Sequence, residues 1–379
     1  MDELEYQEKL GKERQQIDQI DKKLLPLFME RMKCVERVAR LKQAADAPVF
    51  NAQREKEILE RVYREAGALG SSAVAFFQAI MSISKAREHG FMPGETPLTV
   101  LERDARRQLP NTGRVVCQGA QGAYSQQAAR SLLGDREIEF VPNFEQVFHE
   151  VDQGALGVLP VENSDAGSVT AVYDLILRYR FFIVGAIGIK VEHCLATAGN
   201  GPITKVLSHP QALLQCSQYI TTHGLKTEEF SNTAAAAEYI AKEQPAGVST
   251  ICSVEAAERC GLHIAQRNIQ NVENNTTRFV AIFKEAVLPE KANKISLCFS
   301  LPHTTGSLHQ ILQRFAICGL NLTKIESRPI PGSKFEYDFY LDFTGNIHDS
   351  ETLGLICALH TELPRFSFLG NYSESGETE

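Results

Sequence analysis

Ile17, Ile20, Leu24, Leu27, Phe28, Val35, Val38 and Leu41 recur at spacings of three, four and seven in the N-terminal stretch of this chain. Apolar residues at that period form one stripe along an α-helix. The stripe predicts a first helix of roughly 40 residues, longer than a small globular core can cover. A helix of that kind packs against a partner. Pro26 interrupts the pattern and predicts a kink. A loop, "DAPVFN", follows, and then two further helices, "AQREKEILERVYREAG" and "SAVAFFQAIMSISKAREHG", each ending near a glycine. Residues 1–90 therefore read as an all-helical domain.

The pattern changes after that. Residues 91–113 are rich in Pro, Gly and charge and read as a linker. From 114 to 288 strand-like and helix-like pieces alternate, which predicts an α/β domain. Strands are expected at "RVVCQG", "EFVP", "LGVLPVEN", "FFIVGAIGIKV" and "FVAIF". Helices are expected at "SQQAARSLL", "NFEQVFHEV", "SVTAVYDLILRY", "SHPQALLQCSQYI", "TAAAAEYIAKE" and "SVEAAERCG", with Ser125, Asn143, Ser168, Ser208, Thr233 and Ser253 as N-caps. Residues 293–373 read strand, helix, strand, strand, helix, strand, a small ferredoxin-like α+β unit. The tail "SESGETE" reads as disordered. The chain is thus expected to be multidomain.

At 379 residues it is long enough for two or three domains. Its net charge of −8 argues against a general nucleic-acid binder. The longest apolar runs read as buried strands and not as membrane spans. The charged N-terminus does not read as a signal peptide. Nine scattered cysteines, with no CxxC pair, suit a reduced, cytoplasmic protein. Four Asn-x-Ser/Thr matches, including those within "NNTTRF", carry no weight without secretion. The ten histidines form no ligand cluster, so no metal and no cofactor is expected.

Some residues suggest chemistry. Arg31 and Lys42 are eleven residues apart, which places them within about 20° on one helix face and about 16 Å apart. Two long cations so placed can close on a small anion. Arg14, seventeen residues before Arg31, points about 100° away and is placed to serve a dimer partner's pocket. Arg54 and Glu55 open the second helix, and Ser84 and Glu88 share a face of the third. By spacing alone, a solvated charged face with ordinary ion pairs accounts for these residues better than a binding site does. In the middle segment, helix N-termini gathered at one cleft would attract a dicarboxylate. "GAQGAYS" permits close backbone approach but lacks the GxGxxG dinucleotide pattern.

"PVFNAQRE", "FFQAI" and the spaced basic residues make the first segment resemble the all-helical class of chorismate mutase, an intertwined dimer that converts chorismate to prephenate. The resemblance implies that Arg14 (from the partner subunit), Arg31, Arg54 and Ser84 bind carboxylates. It implies that Lys42 and Glu88 face the breaking ether oxygen, and that Asn51 and Glu55 hold the ring hydroxyl. Asn51, often Asp, and Glu88, often Gln, depart from the common pattern. The reaction is a unimolecular rearrangement, for which fixing a conformer and stabilising charge at oxygen are what a site offers.

"GAQGAYS", "LPVENSDAGSV", "SHPQALLQC", "SNTAAAA" and "NNTTRF" occur in the order found in prephenate dehydratase. That family has two α/β lobes like those of type 2 solute-binding proteins, with the site between them. The resemblance puts Thr277 in the active site with Glu162, Asn163, Ser208 and Gln215, and Arg278 orients the loop or substrate. Thr277 is expected to donate a hydrogen bond to the departing hydroxide and Glu162 is a candidate acid. "TTGSLHQIL" and "ESRPIPG" resemble the motifs of the amino-acid-binding ACT domain, where paired domains hold phenylalanine. Gly306, Ser307, Leu308, Glu326, Ser327, Arg328 and Pro329 match. The implied protein is a homodimeric or tetrameric enzyme of phenylalanine biosynthesis. Its implied activities are chorismate mutase (an isomerase) and prephenate dehydratase (a lyase), with allosteric inhibition by L-phenylalanine. Two other readings are an arogenate or prephenate dehydratase with a weak mutase segment, and a non-catalytic amino-acid sensor.

Overall fold

A computed structural model describes residues 2–45, 47, 51–91, 96–111, 113–304, 306–330, 332–333 and 336–375. Most of the expected "DAPVFN" loop and the last four residues lie outside these. The described chain forms two compact units. One comprises Met1–Arg103, Phe299–Tyr340 and Ile347–Phe366; the other comprises Asp104–Cys298, Leu341–Asn346 and Ser367–Glu379.

In the first unit, α1 (Glu3–Ala44) runs 42 residues and continues through Pro26. Asp2 caps it by accepting from the Glu5 amide at 2.8 Å. Only Met32, Val35 and Ala39 of α1 are buried, while Ile17, Ile20, Leu24 and Leu27 are exposed. The apolar stripe exists, but its N-terminal half has no cover within one chain. Helices α2 (Ala52–Glu65) and α3 (Gly70–Phe91) complete the bundle, and α3 packs on α1, α2 and the C-terminal helix Ser350–Glu362. The stretch Gly67–Glu88 is long and apolar enough by composition to cross a membrane, which amends the expectation that no stretch is. In the structure it packs on α1, α2 and the helix Ser350–Glu362, with 17% of the stretch buried. A further helix, Pro97–Asp104, lies inside the expected linker, with Pro97 at the position where a missing N–H costs nothing.

The second unit carries two sheets. The first runs in the order Glu374–Ser375, Phe182–Lys190, Thr276–Phe283, Leu156–Asn163, Arg114–Gln118, Glu137–Val141, with Gly167–Ser168 paired to Leu156–Asn163. The second runs His263–Gln266, His193–Thr197, Val248–Ser253, Lys205–Ser208, Lys226–Glu229. The chain leaves the first sheet after Lys190 and returns at Thr276, so it forms two lobes joined by two crossings. All five strands of the second sheet escaped the sequence reading. They are four to six residues long, and their buried positions include Ser249, Thr250 and Ser253, which break the apolar signal. "SHPQALLQCSQYI" folds as two short helices, Pro210–Gln215 and Ser217–Thr222, and not as one.

The C-terminal segment follows the expected order: Lys294–Ser300, Ser307–Ile317, Leu322–Pro329, Tyr337–Thr344, Ser350–Glu362, Phe366–Tyr372. Its sheet order is Leu322–Pro329, Tyr337–Thr344, Lys294–Ser300, Phe366–Tyr372. The tail does not start as disorder. Glu374 and Ser375 add a parallel strand to Phe182–Lys190. Gly370 lies so close to that strand that a Cβ there would sit 2.1 Å from the Ile183 carbonyl oxygen, which only glycine avoids.

Candidate active sites

The return strand Thr276–Phe283 lies between Leu156–Asn163 and Phe182–Lys190, antiparallel to both. Thr277 stands opposite Asn163 and Arg278 opposite Glu162, and the register then slips so that Phe279 meets Pro160. Val161 is the extra residue of this bulge. Side chains alternate along a strand, so Thr277 and Asn163 share one face while Arg278 and Glu162 share the other. Phe279, two residues on from Thr277, packs in the lobe core with Cys117, Val158 and Ala281.

Thr277 and Asn163 open into a cleft of about 540 Å³ between the lobes, lined also by His193, His209, Gln215 and Asn232. The Asn163 amide donates to Thr277 Oγ1 at 2.8 Å and to Asn275 Oδ1 at 2.7 Å. Asn163 Oδ1 accepts from the Asp165 and Ala166 amides at 3.1 and 2.9 Å, so its orientation is set from both ends. Gln215 Nε2 lies 3.4 Å from Asn163 Oδ1, and Gln215 Oε1 lies 3.0 Å from His193 Nε2. A chain of polar groups thus leads from Thr277 to the buried His193. Burial pushes the His193 imidazole below its ordinary value. His193 Nδ1 has no hydrogen-bond partner among the described residues.

Among the described residues no lysine or arginine lines this cleft; an anion there meets helix N-termini instead. Helix Thr170–Tyr179 presents Val169 and Thr170, and helix Thr233–Glu243 presents Asn232 and Thr233. The caps differ from the expected set. Asn143 and Ser253 cap as read, but His209 and Asn232 replace Ser208 and Thr233. Ser125 is buried inside its helix and donates to the Gln118 carbonyl at 3.0 Å. Ser168 lies in a short strand.

Three residues read into the cleft lie elsewhere. Ser208 is fully buried and donates to the Ile251 carbonyl at 2.6 Å. Glu162 and Arg278 face away from Thr277, because adjacent positions on a strand take opposite faces. Arg278 instead pairs with Asp342 at 2.5 Å, with Glu374, and with the Tyr372 hydroxyl at 2.9 Å. His193 was missed by sequence reading; its only signal is a histidine next to the apolar run "CLA".

In the helical bundle, Arg31 donates to Ser84 Oγ, and Lys42 Nζ lies 2.7 Å from Glu88 Oε2. Eleven residues separate the two cations on α1 and four separate their partners on α3, about 16 Å against about 6 Å, so the basic side chains lean toward each other. Ser84 and Glu88 are buried. Desolvation lowers the Arg31 guanidinium, opposed by the nearby Glu88 charge. Glu55 is held by Lys85 at 3.0 Å. Asn51 caps α2 by accepting from the Arg54 amide at 3.0 Å, so that oxygen is engaged. Arg54 and Arg14 are exposed; Arg54 has Glu57 at 4.0 Å. Arg14 is about 26 Å along α1 from Arg31, out of reach of the same pocket. In the C-terminal segment, Gly306 takes a φ of 83° ahead of helix Ser307–Ile317, whose first residues are Ser307 and Leu308. Glu326, Ser327 and Arg328 lie on the edge strand Leu322–Pro329, where Lys324 stands 3.4 Å from Glu326.

A helical bundle with converging cations, followed by a two-lobed cleft fed by helix N-termini, defines a two-site enzyme for small anionic substrates. A family model for chorismate mutase type II matches residues 13–89, and one for prephenate dehydratase matches residues 115–287. The bifunctional chorismate mutase/prephenate dehydratase of Escherichia coli K12 is 30% identical over 353 residues, covering 89% of each chain. Arogenate dehydratase 2 of Petunia hybrida is 37% identical over 286 residues, 69% of this chain and 72% of its own. The structure of prephenate dehydratase from Arthrobacter aurescens in complex with L-Phe superposes with a TM-score of 0.63 at 28% identity, covering 69% of this chain and 90% of its own. The chain belongs to the bifunctional chorismate mutase/prephenate dehydratase family, and it is an enzyme with both domains.

The buried His193 yields a pH expectation. Its folded pKa lies below the unfolded value of about 6.5, so as pH falls through that value the unfolded chain takes a proton that the native state refuses. Stability is therefore lost on the acid side. The wild-type Tm is expected to drop between about pH 6.5 and pH 5, and His193→Asn to drop less steeply. Equal slopes in thermal melts would remove His193 from this role.

Proposed function

We propose that the helical bundle rearranges chorismate to prephenate and that the cleft converts prephenate to phenylpyruvate with loss of carbon dioxide and water. In the bundle, Arg31, Arg54 and Ser84, with Arg14 of a partner subunit, hold the carboxylates. Asn51 and Glu55 hold the ring hydroxyl, and Lys42 and Glu88 face the ether oxygen. The convergence of Arg31–Ser84 and Lys42–Glu88 supports this reading. The uncovered stripe Ile17–Ile20–Leu24–Leu27 supports a homodimer that supplies Arg14. The scattered cysteines, with no CxxC pair, support a reducing, cytoplasmic setting.

In the cleft, the observation that carries the reading is the Thr277–Asn163–Gln215 line facing space that helix N-termini make favourable to carboxylates. Thr277 gives a hydrogen bond to the departing hydroxide, and aromatisation of the ring drives the step. Glu162 faces away from Thr277, which weighs against it as the acid. The Petunia relative supports arogenate as a second substrate to assay beside prephenate. The C-terminal β-α-β-β-α-β segment, its Gly306 turn and its "ESRP" strand support an ACT-type module, and the L-Phe complex of the Arthrobacter relative supports phenylalanine as its ligand.

Thr277→Ala is expected to lower dehydratase kcat by about a hundredfold or more. Mutase turnover should stay as in the wild type, since the two sites lie in different units. A wild-type dehydratase rate rejects the assignment, and loss of both activities signals misfolding. Arg14→Ala and Arg31→Ala proteins, mixed and allowed to exchange subunits, are expected to recover part of the mutase activity that each lacks. Hybrid dimers without recovery exclude the shared site.

For the effector, deletion of residues 293–379 is a poor test, because it also removes Asp342 and Glu374, the partners of Arg278. Glu326→Gln and Ser327→Ala are the cleaner variants. Each is expected to weaken L-phenylalanine binding about tenfold in calorimetry. Unchanged binding in both would move the effector site elsewhere.

A further inference from the structure

Behind Thr277, on the opposite face of its strand, lies a buried group of charges that faces away from the cleft. Arg278 is 16% exposed, and it touches Asp342, Glu374 and Tyr372, which are 5%, 7% and 0% exposed. Ser296 Oγ lies 2.6 Å from both Asp342 Oδ1 and the Tyr372 hydroxyl, and Lys294 lies 2.7 Å from Glu374. Glu162 stands opposite Arg278 on that face. Every partner named for Arg278 comes from the chain beyond the dehydratase match, from strands 337–344 and 366–375. The attachment is backed by main chain. Glu374–Ser375 pairs with Phe182–Lys190, the Ala186 amide donates to the Ser373 carbonyl at 3.1 Å, and Gly370 admits no side chain against Ile183.

The bulge gives this arrangement a target. The register slip falls between Arg278 and Phe279, one residue from Thr277. At a bulge the extra residue is unpaired and the local direction of side chains is set less firmly by the ladder. Pro160, on the partner strand, has no N–H with which to tighten it. A planar guanidinium held on separate sides by two carboxylates and a hydroxyl fixes the backbone at residue 278, and with it the direction in which Thr277 projects.

We propose that Arg278 is a positioning residue of the dehydratase, which aims the Thr277 hydroxyl by anchoring the bulge to Asp342 and Glu374 of the C-terminal segment. The inference rests on the reading that Thr277 acts in the cleft. It makes the C-terminal segment a structural part of the dehydratase site, and it gives that segment a direct line to the reacting group. Anything that shifts strands 337–344 and 366–375 moves Arg278 first and Thr277 next.

The test uses the full chain and the near-isosteric variants Asp342→Asn and Glu374→Gln, with Arg278→Lys and Thr277→Ala beside them. Dehydratase kcat and KM, mutase kcat and Tm are measured for each, with kinetics well below the lowest Tm. Asp342→Asn and Glu374→Gln are expected to lower dehydratase kcat about tenfold with KM nearly unchanged, since a misaimed group costs rate more than binding. Mutase kcat should stay at the wild-type value. Arg278→Lys keeps the charge but cannot span three partners, and it should fall at least as far. If both isosteric variants keep wild-type kcat while Tm drops, the cluster is only a structural tie and the proposal is overturned. If Thr277→Ala itself keeps wild-type dehydratase rate, the underlying reading fails instead, and the two failures are told apart.

Discussion

The second unit depends on one pairing, that of Thr276–Phe283 between Leu156–Asn163 and Phe182–Lys190. This strand brings the chain back from the second lobe, so its register sets where the lobes face each other. It carries Thr277 toward the cleft and Arg278 away from it by the simple alternation of a pleated strand. A one-residue slip would exchange the two, placing a guanidinium in the cleft and a threonine against two buried carboxylates. Such a slip would leave Asp342 and Glu374 facing no cation on this strand, which makes the charge group a lock on register as well as a contact.

On the proposed function, anion recognition takes different forms in the two segments. In the bundle it rests on side-chain cations, Arg31 and Lys42, which pair with Ser84 and Glu88 on α3. In the cleft it rests on backbone, because helix N-termini offer fixed partial charges that need no side-chain entropy to place. Each fits its chemistry. A rearrangement that develops charge on an ether oxygen gains from a nearby cation, and expulsion of hydroxide gains from a fixed donor.

Much of the bundle was legible in the sequence because helical periodicity is local. The 42-residue length of α1, its stripe and the common face of Arg31 and Lys42 follow from a 3.6-residue repeat. Five first-sheet strands were legible as apolar runs, while the two-residue strands Gly167–Ser168 and Glu374–Ser375 were not. The second sheet was not, since its strands are short and bury serine and threonine. Ser208 illustrates the same limit: a serine before a proline-started helix reads as a cap, yet His209 caps and Ser208 bonds to Ile251 across the sheet.

The order of elements, the helical face of the basic residues and the motif "NNTTRF" as a candidate site could all be read from the chain before folding. Which members of that motif face the cleft emerges from the folded sheet. A motif places residues along the chain, but the side on which each falls depends on strand register, on a bulge at Val161, and on partners nearly a hundred residues away. Thr277 meets Asn163 and Arg278 meets Glu374 for that reason, and no local period in the sequence encodes either contact.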